Sequence, residues 1–220
     1  MKKLLLLLLF IPLVSFGQED ISIEKDWTRI YIDELGSFDL PPSMEIQDGL
    51  AKEITENYDL IMELPSSNVI AQQTGMNEDM TIDGTKGNGG ERYVRVMLYT
   101  NLGKKGEFPK LYCESSPFSK TDMIFKNLGL KRDYEQGVES AGGRIIEWFS
   151  VGFKKINQMC ALHISYIRSG NKSNVKVDEY KFFNYDREYQ LILSYRVNEE
   201  GFWGEDLKKI LNSFTITNER

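Results

Sequence analysis

The sequence predicts an α+β domain built on an antiparallel sheet, and three observations carry that reading. Five stretches alternate apolar and polar residues with a period of two, and the last four of them follow one another closely. The chain then closes on a stripe with a period near 3.6. The clearest alternation lies in 175–183 and 189–197. In the second, Tyr189, Leu191, Leu193, Tyr195 and Val197 share one face, opposite Gln190, Ile192, Ser194 and Arg196. The polar connector 184–188 is short enough for a hairpin loop. Over 205–214, Leu207, Ile210, Leu211 and Phe214 form the closing stripe, with Lys208, Lys209 and Asn212 turned to water. A helix this short does not stand alone in water, so it must dock on the sheet.

From the start of the chain, residues 1–17 read as a secretory signal: Lys2 and Lys3, an apolar run from Leu4 to Val14, then small residues at Ser15 and Gly17. That run is too short for a membrane span, and Gln18 stands where a lipoprotein would carry Cys. The expectation is a signal (1–17), a flexible N-terminal segment (18–26) and a single domain (27–217), periplasmic or secreted, with no membrane insertion after signal cleavage. Residues 27–32 alternate as a strand. Glu34 to Gly36 turns the chain, and 37–40 extends into Pro41-Pro42, where neither residue can donate to a ladder.

A short helix is expected over 49–57, an extended run over 58–64 and a short strand over 68–74. Residues 75–92 hold five glycines among polar neighbours and read as a long surface loop. In the strand 93–100, Val94, Val96 and Leu98 oppose Tyr93, Arg95, Met97 and Tyr99. Ser119 precedes a helix over 120–128 with Met123, Ile124 and Leu128 as its stripe and Gly129 placed to end it. Only a helical fragment is expected over 131–143. Strands 144–153 and 159–168, joined near 154–157, complete a four-stranded antiparallel meander with the terminal pair.

The whole chain has a formal charge of −6. Without Lys2 and Lys3, 25 of its 27 basic residues remain against 33 acidic ones, or −8. Nucleic acid and anionic membrane need clustered Lys and Arg, so neither is an expected partner. Cys113 and Cys160 are the only cysteines, and they leave two readings open: one disulfide in an oxidising compartment, or two buried thiols.

Nothing in the sequence assembles chemistry. His163 is the only histidine, and no G-x-S-x-G elbow or Cys-centred signature accompanies it. It reads as a half-buried histidine satisfied by a neighbour. No ligand spacing points to zinc. Glu78-Asp79 with Asp83-Gly84 lacks the spacing of a calcium loop, and 84–90 lacks the Gly-Lys-Ser/Thr ending of a phosphate loop. No catalytic residue, cofactor or metal is therefore expected. The strand aromatics read mostly as core, with some available to rim a partner groove, since Tyr, Trp and Arg dominate binding hot spots. Arg95, Tyr99 and Trp148, with the loop 75–92, are the expected partner-binding region.

Entry through Phe38-Asp39-Leu40-Pro41, the antiparallel meander, and the closing Ile210-Leu211-Asn212-Ser213-Phe214-Thr215-Ile216 resemble the PsbP-like and DcrB-like superfamily over roughly residues 27–217. The resemblance implies an α/β/α sandwich, a curved antiparallel sheet with helices packed on both faces. It also implies a role in binding proteins, as accessory factor or chaperone, with no shared catalytic motif. The expected function is thus a non-catalytic, protein-binding accessory role outside the cytoplasm: an assembly factor, a chaperone-like protein or a toxin-neutralising immunity protein. The alternative is a carrier of a small apolar or lipid ligand in the cell envelope.

Overall fold

A computed structural model describes residues 26–32, 36–48, 52, 67–79, 92–114 and 120–216. The expected signal, almost all of 18–26, the helix over 49–57 apart from Lys52, the extended run 58–64 and residues 80–91 of the Gly-rich loop lie outside the described residues.

The strands fall into two antiparallel sheets. The small one joins β1 (Thr28–Ile32), β2 (Gly36–Leu40) and β11 (Thr215–Ile216) in the order β1-β2-β11. In the large one, β3 (Met44–Ile46), β4 (Ser67–Gln73) and β5 (Val94–Leu102) are followed by β10 (Arg187–Arg196), β9 (Val175–Asn184), β8 (Met159–Arg168) and β6 (Ile145–Trp148). A further strand, β7 (Gly152–Ile156), also pairs with β8. The helices are α1 (Met76–Asp79), α2 (Lys120–Ser140) and α3 (Glu200–Ser213). The fold is α+β, mostly antiparallel sheet with two long helices.

Side-chain alternation divides the core into two clusters. In the first, Val94, Val96 and Leu98 of β5, Leu191 and Leu193 of β10, and Tyr180 and Phe182 of β9 pack with Trp203, Leu207, Ile210 and Leu211 of α3. Phe38 and Leu40 of β2 and Phe214 close that cluster. In the second, residues of the opposite parity, Ile164 and Tyr166 of β8 with Val175 and Val177 of β9, pack with Met123, Leu130, Tyr134 and Val138 of α2. Each large apolar side chain buried this way contributes about 1.5–3 kcal/mol, which outweighs the local preferences that run against some of these elements.

Two helices differ from the sequence expectation for that reason. Helix α2 runs through Gly129, because Leu130, Tyr134 and Val138 continue its buried stripe beyond the glycine. It ends at Gly142, whose φ is +77°: the Gly142 N–H bonds the Glu139 carbonyl and the Gly143 N–H bonds that of Val138. Ile124 and Leu128, expected in the stripe, are instead exposed. Helix α3 starts at Glu200 rather than 205, and takes in Gly201 and Gly204 to seat Trp203, which is 2% exposed.

The expected strand 144–153 is two strands, both on the edge of β8. Between them the Val151 N–H leaves the ladder and donates to Asn127 Oδ1 of α2 at 3.1 Å. Two-residue turns then join β7 to β8 at Asn157-Gln158 and β9 to β10 at Tyr185-Asp186, with φ of +53° at Asn157 and +57° at Tyr185.

Candidate functional site

After β5 the chain forms a strap, residues 103–114, that passes the β9–β10 turn and ends on β8. Its backbone is tied to that turn: Gly103 N–H donates to the Asp186 carbonyl at 2.8 Å, and Gly106 and Phe108 N–H donate to that of Tyr185 at 2.9 and 3.0 Å. The Phe108 ring stacks on Phe183 with centroids 6.2 Å apart. At the far end, Cys113 forms a disulfide with Cys160, which settles the two readings of the cysteines.

Between strap, α2 and sheet lies an apolar cleft of about 370 Å³. Phe108, Pro109 and Leu111 of the strap form one wall, Met123 and Leu130 of α2 another, and Phe153, Leu162 and Phe183 the floor. Leu102 at the end of β5, Tyr112 of the strap and Tyr185 in the β9–β10 turn that the strap passes are exposed, and so are Ile124 and Leu128 on the face of α2 turned away from the lining residues Met123 and Leu130. All five are between 43% and 75% exposed.

A second concavity, of about 410 Å³, lies beside α3 and is polar. Asp178, Tyr180 and Tyr195 point into it from the sheet and Lys154 from β7, while Glu200, Glu205 and Lys208 line it from the helix. Asp178 is the hub of the adjoining network. Its Oδ1 accepts from His163 Nε2 at 2.8 Å, and its carboxylate also accepts from the Ser165 hydroxyl. The Lys176 ammonium donates to Ser165 Oγ at 2.6 Å, and the His163 ring stacks on Tyr180 at 4.7 Å. Burial pushes the Asp178 carboxyl up. The bonds from His163 and Ser165 and the Lys176 charge outweigh it and hold the group below the usual carboxylate range. Burial lowers the Lys176 ammonium against the neighbouring carboxylates. Tyr195 is pushed up to about 12 by burial and by Glu200.

Ser165, His163 and Asp178 therefore meet, but not as a relay. Catalysis by such a set needs the imidazole to face the hydroxyl and take its proton. Here hydroxyl and imidazole both donate to one carboxylate, and Ser165 is 4% exposed. The two cysteines are joined, so neither offers a thiolate. Among the described residues, no three His, Cys, Asp or Glu side chains gather as a metal-binding set.

Arg95, Tyr99 and Trp148 share the face of the sheet that carries the apolar cleft, but they do not form one patch. Arg95, Ser194, Val177, Tyr166 and Trp148 lie in one cross-strand row. Its ends are four strand spacings apart, about 19 Å. Trp148 donates from Nε1 to Asn127 Oδ1 at 2.9 Å and packs against the rings of Tyr134 and Tyr166, so it is engaged by α2. Tyr99 is buried, its hydroxyl 3.5 Å from Met97 Sδ, and the Arg95 guanidinium lies 5.8 Å from the Tyr93 ring. Of the loop 75–92, residues 75–79 and Arg92 are described. The cleft-lining strap residues were missed because 103–114 has no periodicity to read. Asp178 and Lys154 were missed because only strand register brings them together.

No protein-family model matches the chain, and no curated protein does. Among solved structures, the solution structure of cyanobacterial PsbP (CyanoP) from Synechocystis sp. PCC 6803 is similar at 9% identity and a TM-score of 0.50. That similarity covers 87% of this chain and 92% of the other. A crystal structure from Bacteroides thetaiotaomicron VPI-5482 is similar at 8% identity and a TM-score of 0.44, over 86% of this chain and 48% of that one. The chain has a PsbP-like fold.

Proposed function

We propose that this PsbP-like chain, with helices on both faces of its sheet, is an exported, non-catalytic binding protein with an accessory role toward another protein. The apolar end of the molecule carries the reading. A cleft of about 370 Å³ opens there between the strap, α2 and the sheet, and Leu102, Tyr112 and Tyr185, in the strap and the segments it joins, are exposed. An apolar cleft with exposed apolar side chains on its flanking segments supports an interaction site. The occupant we favour is an apolar segment of a partner protein. It would anchor a side chain in the cleft and cover Tyr112 and Tyr185 on the segments that flank it, as hot-spot pockets with a surrounding rim do. Export is supported by the Cys113–Cys160 disulfide, since such bridges persist in oxidising compartments. Assembly, chaperoning and toxin neutralisation are all roles that such a surface serves.

A second reading is favoured by the cleft alone. Its volume falls in the range of small-molecule pockets, about 300–1,000 Å³, so a small apolar or lipid ligand also fits. The exposed residues of the strap and turn decide between the two, because a ligand confined to the cleft leaves Tyr112 and Tyr185 in water. The test is capture from envelope extract by the wild-type protein and by a Tyr112→Asp/Tyr185→Asp variant, read by mass spectrometry for proteins and small molecules. The expected result is a stoichiometric protein partner held by the wild type and lost in the variant, whose melting temperature is unchanged. An apolar small molecule retained equally by both, with no protein partner, supports the second reading and overturns the first.

A further inference from the structure

We propose that the polar groove beside α3 binds a short zwitterionic peptide, its ammonium held by Glu200 and Asp178 and its carboxylate by Lys154 and Lys208. The inference goes beyond the apolar cleft and stands independently of it.

The groove carries both signs of charge on both walls, with Glu200 and Lys208 at the two ends of the helix wall and Glu205 between them. Glu200 opens α3 and bonds the Tyr195 hydroxyl, and Asp178 pairs with Leu193, two residues before Tyr195 on β10, so both acids lie toward one end. Lys208 follows eight residues later on α3, about 12 Å along the helix axis. Lys154 pairs with Ala161, which pairs with Phe182, four residues along β9 from Asp178, or about 13 Å. Its ammonium is turned inward, 3.4 Å from the Tyr180 hydroxyl. Glu205 adds a third carboxylate to the lining. A simple anion would meet Glu200 and Asp178 unfavourably, and a simple cation would meet the two lysines. A ligand with opposite charges at its two ends satisfies both. Two or three extended residues span about 7–11 Å, and the Glu and Lys side chains reach inward across the remainder.

The shape of the groove agrees. Gly201 and Gly204 line its helix wall, although glycine is disfavoured in a helix. A Cβ built at Gly201 meets nothing within 4 Å, and one at Gly204 meets only Glu200 Cγ at 3.5 Å. No close packing therefore demands glycine at either position, while larger side chains there would fill the groove. Leu193, Leu207 and Leu211 and the rings of Tyr180 and Tyr195 supply apolar surface for the body of the peptide. Asp178 is fixed by its bonds to His163 and Ser165, so the acidic end needs little reordering on binding.

Isothermal titration of the purified full chain with trialanine, N-acetyl-trialanine and trialanine amide tests the proposal. Trialanine is expected to bind, and each blocked form to bind at least about tenfold more weakly, as expected for loss of one charge-assisted contact. Lys154→Ala and Glu200→Gln, both at exposed positions, are expected to weaken trialanine by a similar factor. Gly204→Leu fills the groove with a better helix former, so it is expected to abolish binding without lowering the melting temperature. Absence of any heat with trialanine overturns the proposal, and so does equal binding of the free and blocked peptides.

Discussion

Replacing Cys113 and Cys160 together by Ser tests how much the strap depends on its disulfide. The bridge closes a loop across a sequence separation of 47 residues. For a loop of that length, the entropy removed from the unfolded chain is about 14 cal/mol/K, or about 4 kcal/mol at 25 °C. Domains are stable by only about 5–15 kcal/mol, so this one bond accounts for a large share of the margin. The assay is urea unfolding followed by the fluorescence of Trp27, Trp148 and Trp203. The expected result is a lower midpoint and an extrapolated stability smaller by about 4 kcal/mol. The slope should steepen as well, because the uncrosslinked denatured chain exposes more surface. A loss below about 1 kcal/mol with an unchanged slope would refute the reasoning. It would mean that the backbone bonds of the strap to the β9–β10 turn position the cleft wall by themselves.

Two further outcomes follow from the polar contacts. Asn127→Ala removes the acceptor shared by Trp148 Nε1 and the Val151 N–H. Leaving two part-buried donors without it should cost about 2 kcal/mol in chemical denaturation, accompanied by a shift of the tryptophan emission. A loss within about 0.5 kcal/mol would show that α2 is held by its apolar stripe alone. The Asp178 carboxyl is held below its ordinary value, so its contribution to stability is present above the unfolded value of about 3.9 and is lost as pH falls through the lower folded value. The stability gap between the wild type and Asp178→Asn should be full at pH 6 and should shrink below about pH 4. A gap independent of pH would rule out the assigned ionic role.

The strands were legible in the sequence because each buries a face, and burial imposes a period of two that survives in β5, β8, β9 and β10 almost residue for residue. Their interruptions were not legible. Asn127 drawing Val151 out of the ladder is a contact across 24 residues that no local pattern records. Gly129 was read as a stop from an intrinsic preference of about 1 kcal/mol, and the closing helix was begun only at 205, past Gly201 and Gly204. Burying Leu130, Tyr134 and Trp203 outweighs that. Among the candidate sites, the placing of His163 beside Ser165 and Ala161 was visible from alternation. Its partner Asp178 was fixed only by the register that sets Ser165 opposite Asp178. The cleft depends on the strap, whose course is set by a disulfide and backbone bonds rather than by any period, so the sequence held no sign of it.

The pairing of β2 with β11 has a consequence for how the chain is made. Ser37 bonds Thr215 across 178 positions, the Asp39 N–H bonds Ser213 Oγ, and Phe38 shares its core with Phe214. At about 5–20 residues per second, roughly ten to forty seconds separate the synthesis of one partner from that of the other. Throughout that interval β2 has an unpaired edge and Phe38 lacks its aromatic neighbour, so this part of the core cannot close before residues 213–216 are made. A chaperone that holds unpaired strands has that interval in which to engage β2, whose second edge waits on residues 215 and 216.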